Sequence, residues 1–200
     1  EEHVETISAV GMMGKLRNRQ GLYEEARVLF KKTHALYHKI YGPTHPKTLV
    51  ALANIATASG EIGEYRQASE IQHKVLEIRR RKLGDFHPST LQAMRNLAFF
   101  HKNLDEYEQA ESLLLQAIAA LKKILGEEHP EVLGSLSNYL LLLLELDRPE
   151  EAINGLTEVW KTSVRVLGKE HGDTLNHQFN LAGASSVVGE YEHSMEMMQE

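Results

Sequence analysis

Apolar residues recur along this chain at three- and four-residue spacing, and the pattern breaks and restarts at regular intervals. Between 91 and 104, Leu91, Met94, Leu97, Ala98 and Leu104 keep one helical face; between 110 and 125, Ala110, Leu113, Leu114, Ala117, Ile118, Leu121 and Leu125 keep another. The spacing predicts two amphipathic helices joined by a turn at 103–106. A single helix pair cannot bury its apolar faces alone, so neighbouring pairs should stack into one continuous core.

The pair recurs every 42 residues. His45-Pro46, His87-Pro88 and His129-Pro130 share one phase, which His3-Val4 and His171-Gly172 extend towards both ends. The same phase carries Thr48, Thr90 and Thr174, then Asn54, Asn96, Asn138 and Asn180, then Tyr23, Tyr65, Tyr107 and Tyr191. Independent columns at one period mark a repeat array. The chain is therefore read as one solenoid of units 3–44, 45–86, 87–128 and 129–170 with a partial unit 171–200. Neither end carries the polar face of a solenoid cap, so further repeats or flanking domains are expected.

Local chemistry fits this division. Gly42, Gly84, Gly126 and Gly168 stand where each second helix should end, suited to a left-handed residue. The prolines four residues on suit a first helical turn, where a missing N–H costs nothing. Gly21, Gly63, Asp105, Asp147 and Gly189 occupy the turn inside each pair. Ala26, Ala68, Ala110 and Ala152 are small where two helix backbones should approach. Several positions depart from the pattern. Met12 replaces the asparagine of the first unit, Pro149 replaces a tyrosine, and Gly155 is expected to weaken the second helix of the fourth unit.

His87-Pro88, Leu91, Asn96-Leu97-Ala98, Tyr107, Ala110 and Leu125-Gly126 together resemble the tetratricopeptide repeat superfamily in the 42-residue form of kinesin light chains. Thr48-Leu49 and Thr90-Leu91 also resemble the arrays of fungal and bacterial NLR-like sensor proteins. The resemblance implies an all-α fold, a right-handed α-solenoid of about five antiparallel helix pairs. It also implies a non-catalytic scaffold that binds a protein or extended peptide in its concave groove, as adaptor or sensor.

Composition narrows the class. The chain holds no cysteine, which removes disulfides, thiolate metal sites and cysteine nucleophiles. A net charge of −6 argues against nucleic acid as partner. The longest apolar run, Tyr139 to Leu144, is far short of a membrane span, and the N-terminus shows no signal-peptide pattern. A cytoplasmic protein is expected.

Eleven histidines raise the alternative of a metal-binding or enzymatic domain. The recurrent histidines sit at matched positions of successive repeats, at least the roughly 8–10 Å of packed helices apart, too far for one zinc ion. No metal, cofactor or catalytic set is assigned. Arg79-Arg80-Arg81-Lys82 is the one basic run, read as helix C-terminal cations or as a patch for nucleic acid or an acidic partner.

The partner site is expected on the first helices. Asn54, Asn96, Asn138 and Asn180 each offer a donor and an acceptor to an extended backbone, or else hydrogen-bond a neighbouring helix. Gln92, Arg95, Phe99, Lys102 and Asn103 surround Asn96 in the third unit. Their cations and aromatic ring suggest an acidic segment with an apolar anchor, in line with the acidic cargo peptides that the resemblance to kinesin light chains implies.

Overall fold

A computed structural model describes residues 2–187 and 189. Among them are nine α-helices and no strand. These are α1 (Glu2–Arg19), α2 (Tyr23–Tyr41), α3 (Pro46–Glu61), α4 (Tyr65–Leu83), α5 (Pro88–Lys102), α6 (Tyr107–Leu125), α7 (Pro130–Glu145), α8 (Pro149–Leu167) and α9 (Gly172–Val187). First helices begin at 46, 88, 130 and 172, and second helices at 23, 65, 107 and 149, so both series keep the 42-residue period. The partial second helix expected from Tyr191 onward lies outside the described residues.

The first helices α3, α5, α7 and α9 are each started by a histidine. The Nδ1 atoms of His45, His87 and His129 accept hydrogen bonds from the backbone N–H two residues on, at 3.2, 3.1 and 3.1 Å. His171 does the same at 3.2 Å. Each ring thus satisfies one of the orphan donors of a helix start, and the following proline in α3, α5 and α7 needs none. Because Nδ1 is the acceptor, the neutral ring carries its proton on Nε2.

The second helices end on glycines in an unexpected conformation. Gly42, Gly84 and Gly168 have φ of 86°, 82° and 93° with ψ of 172°, 170° and 158°. The expected left-handed helical residue has ψ near +45°. These residues are instead extended at positive φ, a region reserved essentially for glycine. The turns inside the pairs hold the expected positive φ, including 59° at Asp105 and 56° at Asp147.

The chain divides into two compact units, Glu1–Glu106 and Tyr107–Glu200. In the first, α1 to α5 pack successively, and α3 also touches α5. Its core gathers Ala26, Phe30, Ile55 and Ala58 in one cluster and Ala56, Ala68 and Phe100 in another. In the second, α6 to α9 pack successively, and α7 also touches α9. Leu133, Leu140, Leu143, Leu156, Val159 and Leu181 form its core. Within each unit, a helix packs mainly on its chain neighbours, as in quasi-one-dimensional repeat packing.

Although Gly155 is a weak helix former, α8 runs unbroken through it, and the glycine has a place in the structure. The reason is packing. A Cβ at Gly155 would collide with the Leu140 side chain, so the glycine makes room for leucine in the core.

Candidate partner-binding site

Within the first unit, α1 and α3 stand on either side of a cavity of about 300 Å³ whose floor is α2. Phe30 and Tyr37 on α2 are buried beneath it. Met12 and Val50 form apolar walls and remain 62% and 44% exposed. Asn54, half-buried, lines the same space. Two cations stand beside it, Lys15 and Lys47, the second with Nζ 5.8 Å from the Tyr37 ring centre and 5.6 Å from that of Tyr41. The cavity therefore combines an aromatic floor, apolar walls, one primary amide and two ammonium groups.

The third-unit residues lie along α5. Gln92 donates from Nε2 to Asn96 Oδ1 at 2.7 Å, and Arg95 donates to Gln92 Oε1 at 2.9 Å. Asn103, at the end of the helix, donates to the Phe99 carbonyl at 2.8 Å. These amides are partly engaged within their own helix. Phe99 is 51% exposed and meets Tyr65 edge-on, with ring centres 6.4 Å apart. Lys102 is half-buried in the last turn. In the second unit Asn138 is exposed. Asn180 donates to Ser137 Oγ on α7 at 3.0 Å, so its amide ties α9 to the preceding first helix.

The asparagine column thus has unequal uses. Asn54 lines a cavity, Asn96 is held by Gln92, and Asn180 bridges two helices. The cavity residues Met12, Lys15 and Lys47 were not among the sequence-derived candidates. The signal available for them was Met12 standing in the asparagine column beside small Ser8 and Gly11.

His45, His87, His129 and His171 act as helix caps, and His101 Nδ1 lies 2.5 Å from Glu106. Among the described residues, no group of three or more His, Asp or Glu is placed to hold a metal ion. No helix among them is long and apolar enough to cross a membrane.

A tetratricopeptide repeat model matches residues 5–81 and 89–159. The chain belongs to the tetratricopeptide repeat family. Solved structures agree with this fold. A Podosopora anserina protein described as a kinesin light chain with nearly identical TPR-like repeats is 26% identical over 100% of this chain and 94% of its own, with a TM-score of 0.84. BtubC (BKLC) from P. vanneervenii is 15% identical over 98% of this chain and 78% of its own, with a TM-score of 0.80. A Rap protein complexed with competence and sporulation factor, 12% identical, superposes with a TM-score of 0.69 over 100% of this chain and 63% of its own. The last two show the fold alone. No curated protein matches by sequence. The fold class is thus the all-α solenoid of tetratricopeptide repeats, an architecture that serves as a protein-interaction scaffold.

Proposed function

We propose that this chain is a non-catalytic cytoplasmic scaffold, adaptor or sensor, that holds an extended acidic peptide with an apolar anchor along its first helices. The cavity between α1 and α3 carries the reading. Its aromatic floor and apolar walls suit one anchor side chain, Lys15 and Lys47 suit acidic neighbours, and Asn54 suits the peptide backbone. Farther along the same unit, Asn96, Arg95, Gln92, Phe99, Lys102 and Asn103 on α5 extend the chemistry, with exposed Phe99 as a second apolar contact. Asn138 and Asn180 are proposed as contacts in the second unit. The structure of a Rap protein in complex with competence and sporulation factor supports ligand capture by this fold.

Fluorescence polarisation against a library of acidic peptides carrying aromatic or aliphatic anchors tests the proposal. Met12→Asp combined with Asn54→Ala should weaken bound peptides at least tenfold while the melting temperature stays within a few degrees. Lys74→Glu, on the exposed face of α4, should leave binding intact. Binding that survives the first variant and is lost with the second would refute the groove assignment.

A further inference from the structure

The basic run 79–82 contains a cation in an unusual place. Arg79 is 7% exposed. Its NH1 donates to the Ser89 carbonyl at 2.8 Å, and among the described residues no carboxylate pairs with it. Burial alone acts on its proton equilibrium and pushes the pKa down from the ordinary arginine value. Buried charges are expected to be paired, because an isolated ion in a low-dielectric interior costs several kcal/mol. Arg79 has five N–H donors in a rigid fork, and the Ser89 carbonyl occupies one group of them.

Arg79 faces a cavity of about 230 Å³ bounded by the ends of α2 and α4 and the first turns of α3 and α5. Lys82 lines it too, its Nζ held 2.6 Å from Thr44 Oγ1. His45 completes the polar wall, stacked on Tyr41 at 4.3 Å between ring centres. Its Nδ1 accepts the Lys47 N–H, which leaves Nε2–H as a donor in the neutral ring. No aspartate or glutamate lines the cavity, in a chain of net charge −6. The remaining walls are apolar, Leu49, Val50 and Leu83 among them.

Repeat packing does not require these cations. The positions equivalent to Arg79 in the other units are Tyr37, Leu121 and Ser163, and those equivalent to Lys82 are Ile40, Ile124 and Val166. The fold fills both columns with uncharged side chains everywhere except here.

We propose that this cavity of the second repeat is an oxyanion-binding site, in which Arg79 and Lys82 hold a carboxylate or phosphate group borne on a short apolar stem. Its volume is below the roughly 300–1,000 Å³ of drug-sized ligand sites, which fits one head group and little more. The guanidinium fork matches two oxygens of either anion, and the ammonium adds a point charge. Pro46 and Val50 line both this cavity and the one beside Asn54, so the two openings adjoin over the start of α3. An acidic residue of a bound peptide and a free small anion are the two sources of such a group.

The full chain is titrated with inorganic phosphate at constant ionic strength, with chloride as the reference anion. Readouts are the melting temperature and the amide NMR shifts of Thr44 and Ser89. Phosphate should raise the melting temperature and move these resonances in a saturable way. Arg79→Met and Lys82→Met should each weaken the apparent affinity at least tenfold. Arg79→Met, which removes a buried unpaired charge, should melt in chloride no lower than the parent. An acidic peptide that competes with phosphate identifies a partner side chain as the source. Saturable phosphate binding without competition identifies a free anion, and survives even if the peptide-groove proposal fails. A parent with no saturable response overturns the assignment. So does Arg79→Met that melts well below the parent in chloride while responding to phosphate as the parent does, which would mark Arg79 as a strut for the Ser89 carbonyl.

Discussion

At the scale of single residues, the repeat is punctuated by backbone conformations that few side chains accept. Gly84 combines φ of 82° with ψ of 170°, and nothing lies within 4 Å of where a Cβ would stand. A substitution there meets backbone strain and no steric neighbour. Gly84→Ala should therefore destabilise by about 1–3 kcal/mol. Gly134, inside α7 with equally open surroundings, is the control. Gly134→Ala should stabilise by about 0.4–1 kcal/mol, since it removes unfolded-state freedom without strain. Urea unfolding midpoints compare the two, and a Gly84→Ala midpoint at or above the parent's would contradict the strain. Such positions are legible in sequence because they depend on local backbone alone. The recurrence of Gly42, Gly84, Gly126 and Gly168 announces positive φ, and the histidine before each proline announces a helix start. What stayed hidden was ψ: glycine is equally at ease in both positive-φ regions, so its presence does not choose between them.

At the scale of helices, positions that contact one another differ between repeats in compensating ways. Leu140 stands in the column that holds Gly14, Ala56, Ala98 and Ala182, and Gly155 in the column that holds Leu29, Ile71 and Leu113. The large residue has moved from α8 to α7 and the small one the other way, keeping the interhelix volume filled. Charges show the same exchange. Arg27 pairs with Glu64 at 2.5 Å in the first unit. The corresponding positions 84 residues on are Glu111 and Arg148, paired at 2.9 Å with the signs reversed. A column read alone shows Gly155 as a weak helix former and cannot show the partner column it makes room for. Gly155→Ala should overpack against Leu140 and cost about 1–3 kcal/mol, lessened by roughly 0.5–1 kcal/mol from the better helix former. Leu140→Ala should cost about 2–5 kcal/mol as a core truncation. The double variant should be more stable than the sum of the two predicts, by about 1 kcal/mol or more. Additive urea midpoints would mean that the two side chains do not share one space.

At the scale of the molecule, the period was legible throughout while the cavities were not, for a physical reason. A repeat fixes its core by columns that every unit shares, so agreement among units reveals the fold. A cavity arises where one unit differs, as at Met12 and Gly11 or at Arg79 and Lys82, and such differences look like noise against the period. His177 is another difference of this kind, in a column that otherwise holds Ala9, Ala51, Ala93 and Ser135. It is buried between α8 and α9, its Nδ1 2.8 Å from Ser163 Oγ. Ser163 directs its own hydroxyl to the Val159 carbonyl at 2.8 Å, so the imidazole Nδ1–H donates to the serine oxygen. Burial lowers the His177 pKa below the usual histidine value, against a smaller opposing pull from the Asp173 carboxylate. His34 on α2 is lowered as well, by burial and by neighbouring His38. A group whose folded pKa is depressed binds its proton more readily in the unfolded chain, so stability rises with pH across the window below about 6.5. The melting temperature should therefore fall from pH 8 to pH 5, with His177 contributing to the loss. Amide exchange should locate the early loss in α9, whose packing on α8 surrounds that ring, before the helices of the first unit respond. His177→Gln should flatten the profile and remove the early exchange in α9. If the variant keeps the parent's slope between pH 8 and pH 5, or if α9 exchanges no faster at pH 5 than α4, His177 is not the source of the acid sensitivity.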